Sequence, residues 1–306
     1  MSPDLRRVLG IQALALLAAL LCIVHERAQA QTPAQQGWSP LEQRCWQRHT
    51  AERTAVDLRD PTALRFSNLR SGFTVRSPVW VEFSVRGMGL MPAGHERERS
   101  GHHHLLVDTP LPRDHREQIP FSDKHKHFGK GQTGTALDLP PGEHRLRLLF
   151  ADHSHHPYFV FSPEIVLQVR GPRQGPGPAV DAQDFERTCR AWYEDQISTP
   201  PDSDPPRAYV KNLRDGDVLN AAALLSFGAI GRGIAPAGKR LENTGHFAFV
   251  LRKAGSPIQS QTLDDGRTDA YLDLPRGDYE MELRLLGNDG QPPIQPQLLR
   301  FSVQRP

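Results

Sequence analysis

The sequence predicts an all-β protein made of two tandem immunoglobulin-like antiparallel β-sandwich units, each preceded by a short helix that contains a cysteine. Two observations predict this class. One is an internal repeat, and the other is a series of short alternating apolar stretches, such as 79–85 and 145–150, separated by glycine and proline turns. No long amphipathic helical pattern interrupts them. Strands at this spacing are typical of an antiparallel sandwich.

The first thirty residues have the pattern of a secretory signal peptide. Arg6 and Arg7 precede an apolar run at 11–24, and Ala28-Gln29-Ala30 is a cleavage motif, which predicts a signal peptide at 1–30. The run is too short to span a bilayer. We therefore expect a periplasmic or secreted protein that has no membrane attachment after cleavage. An uncleaved membrane anchor is the alternative.

The charge balance excludes a nucleic-acid partner. The chain has 37 Lys and Arg against 35 Asp and Glu, a formal net charge of +2. These charges are interspersed, without the basic block or aromatic ladder that tracks a phosphate backbone.

The internal repeat defines the domain organisation. Segment 68–72 matches 212–216, and 92–94 matches 236–238, both at an offset of 144 residues, whereas 137–140 matches 272–275 at an offset of 135. The first copy therefore carries nine extra residues between about Asp108 and Gly131. With the Pro/Gly-rich segment as a linker, the predicted boundaries are 38–170 for the first domain, 171–180 for the linker and 181–304 for a degenerate second copy.

Two cysteines follow the signal segment, and they occupy equivalent positions in the two copies. Cys45 and Cys189 are 144 residues apart. In an oxidising compartment an even pair favours a disulfide, which at this loop length would stabilise the fold by at most roughly 5 kcal/mol. A soft-metal site of two thiolates is disfavoured, because the neighbouring sequence offers no further good ligand.

The histidines are concentrated in the first copy. Eleven of the fourteen lie between 95 and 156, whereas the second copy keeps His246. At the positions equivalent to His103 and His104 the second copy has Phe247 and Ala248. Because two copies of one fold share the same structural needs, most of these imidazoles serve something other than the fold.

The spacing of the histidines indicates a metal site. Side chains two apart on a strand share a face, and such His-x-His pairs can present two nitrogens to one ion. By register with the core-facing Phe247, His103 points inward and its two neighbours point the other way. The predicted ligands for copper or zinc are His102, His104, His125, His127, His153 and His155.

Further side chains lie beside these pairs as additional ligands or as groups that orient the imidazoles. Thioether together with imidazole would favour Cu(I). The alternatives are solvated turn carboxylates for the aspartates and gap-filling in the core for the methionines. This set is His95, His103, His144, Asp108, Asp152, Met88 and Met91.

Several ordered motifs resemble a known family. They are GMGLMPAG at 87–94, GHHHLLVD at 101–108, HFGKGQT at 127–133, LPPGEH at 139–144 and ADH at 151–153. Over about residues 65–170 the chain resembles the bacterial domain-of-unknown-function family 4399. The resemblance implies a small exported β-rich domain and no particular activity. The second copy departs from the pattern at nearly every histidine, which argues against a shared activity there.

Three functions follow from these observations. The first is an exported metal-binding protein, whose partners are a copper or zinc ion and, for delivery, another exported protein. The second is a non-catalytic tandem β-sandwich that binds a protein or glycan, with its histidines as a pH-responsive network. The third is a metal-dependent hydrolase or redox enzyme. The sequence contains neither a nucleophile elbow nor an H-E-x-x-H helix, which argues against this function, and no catalytic residue is predicted.

Overall fold

The computed structural model describes residues 37–61, 63–202 and 205–304, so the predicted signal peptide lies outside the described residues. Two repeated β-sandwich units follow short cysteine-containing helices, as the sequence predicts. Within these ranges, no helix is both long and apolar enough to cross a membrane.

In the part of the chain that the structure describes, the first repeat has two short helices and ten strands. In chain order they are α1 (Pro40–Arg48), α2 (Thr50–Thr54), β1 (Leu64–Phe66), β2 (Phe73–Ser77), β3 (Val79–Val85), β4 (Gly89–Leu90), β5 (Ser100–Val107), β6 (His125–Phe128), β7 (Gly134–Leu137), β8 (Gly142–Ala151), β9 (Pro157–Phe161) and β10 (Ile165–Pro172). One sheet has the order β1-β3-β7 and the other β2-β10-β8-β5-β4, with β6 paired to β5 and β9 paired to β8. Most pairs are antiparallel; β2 with β10 and β4 with β5 are parallel.

The second repeat has the same topology, except that no strand equivalent to β9 occurs among its described residues, 181–202 and 205–304. Its elements are α3 (Phe185–Ser198), β11 (Arg207–Val210), β12 (Asp217–Leu219), β13 (Ala223–Ile230), β14 (Gly233–Ile234), β15 (Thr244–Lys253), β16 (Ser256–Thr262), β17 (Asp269–Leu272), β18 (Gly277–Gly287) and β19 (Gln297–Val303). Its sheets have the orders β11-β13-β17 and β12-β19-β18-β15-β14, with β16 paired to β15.

The core of each repeat lies between its two sheets, because alternate strand residues are apolar. In β3, Val79, Val81, Phe83 and Val85 are all fully buried, as expected for branched and aromatic side chains on the inner face of a sandwich. The second repeat places Phe227 of β13 at the position of Phe83. Apolar alternation therefore fixes which face of each sheet is inside.

The helices are exchanged between the repeats. Helix α2 packs on β12 and β13 of the second repeat, and α3 packs on β2 and β3 of the first. Two equivalent asparagines hold the exchange: Asn68 Nδ2 donates to the carbonyl oxygen of Ile197 (2.7 Å), and Asn212 Nδ2 donates to that of Arg53 (3.4 Å). Both bonds join residues that match under the 144-residue offset. The two repeats are therefore related by an approximate two-fold axis, as in an isologous dimer.

Backbone hydrogen bonds lock the repeats together at a second place. Leu90 N donates to Gly266 O (2.9 Å), and the equivalent Ile234 N donates to Gly131 O (2.8 Å). The approach is close, since a Cβ at Gly233 would overlap the carbonyl oxygen of Lys130. The second repeat thus supports the segment of the first that directly follows β6.

The predicted disulfide between Cys45 and Cys189 is confirmed. It joins α1 to α3 with a Cα–Cα distance of 5.4 Å, and both residues are buried. Because each helix also packs on the opposite repeat, the covalent bond lies where the exchanged elements meet.

Candidate metal centre

Four of the six predicted ligands come together on the outer face of the larger sheet of the first repeat. The Nε2 atoms of His102 and His104 are 3.1 Å apart, and so are those of His127 and His155. One ring nitrogen each from His102, His127 and His155 lie within 4.8 Å of one another. The six ring-centroid distances among the four imidazoles range from 4.8 to 6.0 Å.

Strand register positions three of these histidines. His102 and His104 alternate with His103 along β5, so they share the face away from the core. His127 of β6 is the antiparallel partner of His104, and directly opposed residues place their side chains on the same face. Gly129 leaves room for the His127 ring, because a Cβ there would overlap its Cε1 and Nε2 atoms.

The fourth imidazole comes from the turn after β8. Asp152 Oδ1 accepts hydrogen bonds from the backbone amides of Ser154 (2.8 Å) and His156 (2.9 Å), an Asx-type arrangement that shapes a tight turn. His155 adopts a positive φ of 69° there. Asp152 is therefore engaged with the backbone and holds His155 in place.

The inserted segment of the first repeat covers the cluster. Ile119 packs on Leu149 and Ala151, which pair with His104 and His102 across β8 and β5. The amide of Ile119 donates to the carbonyl of His155 (2.9 Å). Phe121, 63% exposed, contacts His127 and His155 edge to face. This cover explains why His102 and His104 are completely buried on an outer sheet face.

Burial favours the neutral form of His102, His104 and His127. It is the main reason that the pKa of His102 falls from 6.5 to about 3 and that of His104 to about 2, and the neighbouring imidazoles lower both pKa values further. Burial, followed by the charge of His155, also lowers the pKa of His127. Neutral imidazole is the form that binds a metal ion.

We expect the metal-free protein to lose stability in mild acid because of His104. Between its unfolded pKa of 6.5 and its folded pKa of about 2, only the unfolded chain binds the proton, so the free energy of unfolding falls as the pH falls. From pH 7 to pH 5 this amounts to about 2 kcal/mol. Urea unfolding at both pH values should show a loss smaller by about this amount in His104→Ala, the residue of the second copy. Equal losses in both proteins would contradict the assignment.

Nitrogens of His102, His127 and His155 lie close enough together to share one ion, and His104 is not a member of that group but lies beside it through its contact with His102. Metal–nitrogen bonds of about 2.0–2.1 Å place the nitrogens of a tetrahedral site about 3.3 Å apart, close to the two observed spacings of 3.1 Å. The Nδ1 atoms of His102 and His104 are buried without hydrogen-bond partners.

His103 lies on the opposite face, in the core. Its ring packs against Phe83 (4.9 Å) and Phe150 (5.2 Å), and neither ring nitrogen has a hydrogen-bond partner. Burial lowers its pKa well below the usual value. In the second repeat Phe247 occupies this position and contacts Phe227.

We therefore expect His103→Phe to stabilise the protein by about 1–2 kcal/mol, because two unsatisfied buried nitrogens cost about 1–3 kcal/mol. Urea unfolding of the metal-free protein measures this change. His103→Ala is the control and should destabilise by leaving a cavity. A destabilised His103→Phe protein would mean that the imidazole does more than fill space.

The structure does not bring the other two predicted ligands into the cluster. The Nδ1 atom of His125 lies 2.9 Å from Ser122 Oγ at the surface. The backbone carbonyl of His153 accepts from Gly94 N (2.9 Å), and no contact places its imidazole among the four described above. His95, in the turn after Pro92, is exposed.

The remaining candidate residues, His144, Asp108, Met88 and Met91, are hydrogen-bonded or buried within the fold. His144 Nδ1 bonds Asp108 (2.7 Å), and its Nε2 bonds the carbonyl of Pro140 (2.9 Å). The equivalent Tyr279 hydroxyl donates to the equivalent carbonyl in the second repeat, so His144 fills a position that the fold itself needs. Met88 and Met91 are buried.

The loop containing these methionines connects the two ligand-bearing segments. Ala93 N donates to Gly129 O and Gly94 N to His153 O, both at 2.9 Å. The Pro-Ala-Gly motif therefore joins the segment after His127 to the turn that presents His155.

A second group of ligand-type side chains lies at the disulfide, and sequence reasoning missed its imidazole. His49 Nε2 is 3.8 Å from Cys189 Sγ, and one ligand atom each of Cys45, His49 and Cys189 lie within 4.8 Å of one another. His49 follows Cys45 by four residues and lies in the turn between α1 and α2.

Comparison with solved structures finds matches of low sequence identity. Solved structures that resemble the chain include the CbhA fibronectin(III)-like modules of Clostridium thermocellum (10% identity, 79% of this chain and 94% of that one, TM-score 0.23) and a two-domain fibronectin type-III segment of chicken tenascin (12%, 79% and 99%, TM-score 0.20). CopC from Methylosinus trichosporium OB3b is 19% identical over 32% of this chain and 95% of its own, with a TM-score of 0.22. No curated protein matches.

The family comparison extends the resemblance inferred from the motifs to both copies. The family described as domain of unknown function DUF4399 matches residues 81–170 and 225–304. The first segment contains every histidine of the cluster. At the equivalent positions, the second segment keeps a histidine only at His246. Because the two segments cover more than half of the chain, the protein belongs to the DUF4399 family.

Proposed function

We propose that this protein is an exported metal-binding protein that holds one zinc or copper ion through His102, His104, His127 and His155. The convergence of these four imidazoles carries the proposal. The Nε2 atoms of His102 and His104 face each other at 3.1 Å, as do those of His127 and His155, and an ion between them would accept a lone pair from each nitrogen. The two remaining histidines of the predicted set, His125 and His153, are left out of the proposed ligand set.

The two Nε2–Nε2 spacings of 3.1 Å are close to the roughly 3.3 Å between nitrogens of a tetrahedral site, which supports Zn²⁺ or Cu⁺. Four protein ligands fill the coordination sphere of a tetrahedral ion, which is typical of structural or storage sites. Catalytic zinc sites keep an open position for water. We therefore favour buffering or delivery of the ion to another exported protein over an enzymatic role.

The second repeat acts as a scaffold in this proposal. Ala248 and Thr262 stand where the first repeat has His104 and His127, and Arg284 stands where Leu149 helps to bury the site. Its contribution is the bond from Ile234 to Gly131 beside the ligand segment. The buried disulfide supports export to an oxidising compartment, in line with the predicted signal peptide.

Metal content and titration test the proposal. Mature protein purified without chelators, and metal-free protein titrated with Zn²⁺ or Cu⁺, should each hold one ion per chain, with four nitrogen ligands by X-ray absorption spectroscopy. A variant with alanine at all four histidines should hold none, whereas His125→Ala/His153→Ala, which removes two half-buried imidazoles of the same repeat, should retain the ion. Absence of uptake by the native protein would contradict the proposal and would favour a pH-responsive binding module.

A further inference from the structure

The buried contact between α1 and α3 contains a second set of metal-ligand groups, independent of the four-histidine cluster. Cys45 and Cys189 are buried, and His49, whose side chain is 17% exposed, lies against them on the side facing solvent. The residue equivalent to His49 under the 144-residue offset is Tyr193, and the two rings stack with their centroids 4.1 Å apart. The approximate two-fold axis therefore passes close to the disulfide, with an imidazole on one side and a phenol on the other.

The imidazole of His49 is oriented for coordination. Its Nδ1 lies 3.0 Å from Glu52 Oε2, so Nδ1–H donates to the carboxylate and the lone pair of Nε2 is free. That Nε2 atom faces Cys189 Sγ at 3.8 Å. A carboxylate behind the distal nitrogen is the usual arrangement for metal-bound histidines, because it fixes the tautomer and raises the basicity of the ligand.

We propose that reduction of the Cys45–Cys189 disulfide creates a Cys₂His site for a thiophilic ion, Zn²⁺ or Cu⁺, with the two sulfurs and His49 Nε2 as ligands. In the reduction, a dithiol gives two electrons and two protons: the S–S bond breaks, Cys45 and Cys189 become thiols, and the dithiol becomes a disulfide. Binding of the ion then displaces both thiol protons, leaving two thiolates on the metal.

The geometry allows this change with small side-chain movements. Zinc–sulfur bonds are about 2.3 Å long, so two thiolates on one tetrahedral ion lie about 3.8 Å apart. The Cα atoms of the two cysteines are 5.4 Å apart, and rotation about their Cα–Cβ bonds separates the sulfurs that far without moving the helices. The ion would then link α1 to α3 in place of the covalent bond. The redox state of the two cysteines would thus determine whether a disulfide bond or a bound metal ion links α1 to α3.

Cobalt(II) tests the site, because thiolate–cobalt bonds absorb in the near ultraviolet and imidazole–cobalt bonds do not. We expect the oxidised full-length mature protein to bind Co²⁺ without thiolate–cobalt absorption. After the disulfide is reduced by a dithiol and the dithiol is removed, the same protein should bind one further Co²⁺ per chain and show that absorption. Cys45→Ser should abolish the absorption after reduction. His49→Ala, which keeps both thiols, should weaken this second binding by at least about tenfold, and Glu52→Gln by about tenfold.

The outcomes separate this site from the four-histidine cluster. In the oxidised protein the cysteines form the disulfide, so Co²⁺ binding there tests the four-histidine cluster alone. If the oxidised protein binds no Co²⁺, the proposed function fails, but thiolate–cobalt absorption after reduction still tests the Cys₂His site. The proposal is overturned if the reduced protein shows no thiolate–cobalt absorption, or if His49→Ala binds as tightly as the native chain. If reduction unfolds the metal-free chain, cobalt must restore the native circular dichroism spectrum, and a chain that stays unfolded also overturns the proposal.

Discussion

Replacing either His127 or His155 with alanine is expected to lower the affinity for Zn²⁺ by about 100- to 1000-fold. A structural zinc site contributes about 10–16 kcal/mol of binding free energy, which over four ligands is about 2.5–4 kcal/mol for each. Both residues lie in the cluster, with their Nε2 atoms 3.1 Å apart, and the second repeat has no histidine at either equivalent position. Competition with a chelator of known affinity measures the change.

The matched controls are His125→Ala and His153→Ala. Each removes an imidazole two residues away from a proposed ligand, one from the same strand and one from the same turn. We expect each to change the affinity by less than about threefold, because neither imidazole lies among the four that converge. A loss in His125→Ala as large as that in His127→Ala would mean that the ion sits elsewhere than among the four rings.

Strand alternation predicted part of this site from the sequence. It placed His102 and His104 on one face of β5 and His103 on the other, and the rings lie so in the structure. The second copy supplied the reason, since Phe247 marks the inward position. The alternation of side chains along a strand does not tell which face of the sheet another segment covers. The insertion that buries His102 and His104 has no counterpart in the second copy, so its position could not be inferred from the repeat.

The same rule does not apply to the other two pairs. His153 and His155 lie in a turn organised by Asp152, where a positive φ at His155 replaces strand geometry and the two side chains need not share a face. His125 does lie on β6, but at its first residue, where it bonds Ser122. A pattern of period two holds only inside a strand, and sequence patterns place strand ends poorly.

Long-range packing set the features that no local pattern could predict. The repeat predicted two equivalent units and two equivalent cysteines, but equivalence alone does not say whether each helix packs on its own repeat or on the other. Asn68 and Asn212 have the same sequence surroundings in either arrangement, and only the partners, Ile197 and Arg53, reveal the exchange. The proximity of His49 to Cys189 follows from that exchange as well.

Replacing both Cys45 and Cys189 with serine is expected to lower the free energy of unfolding by about 3–5 kcal/mol. The disulfide closes a loop of 144 residues, and the entropic cost of that closure in the unfolded chain is about 5 kcal/mol by the chain-entropy relation. Native contacts across the same junction, such as the buried ion pair of Arg53 with Asp217 at 2.6 Å, keep the helices docked without the covalent bond. Equilibrium urea unfolding measures the difference.

Cys45→Ser alone should cost as much as the double variant, because one remaining thiol closes no loop. A loss below about 1 kcal/mol would mean that the unfolded chain is not appreciably restrained by the bond, contrary to the chain-entropy relation. The reduced native chain should match the double serine variant in the absence of metal. Added Zn²⁺ should then raise the free energy of unfolding of the reduced chain by more than that of the serine variant. Only the reduced chain retains the thiolates through which an ion can close the same loop.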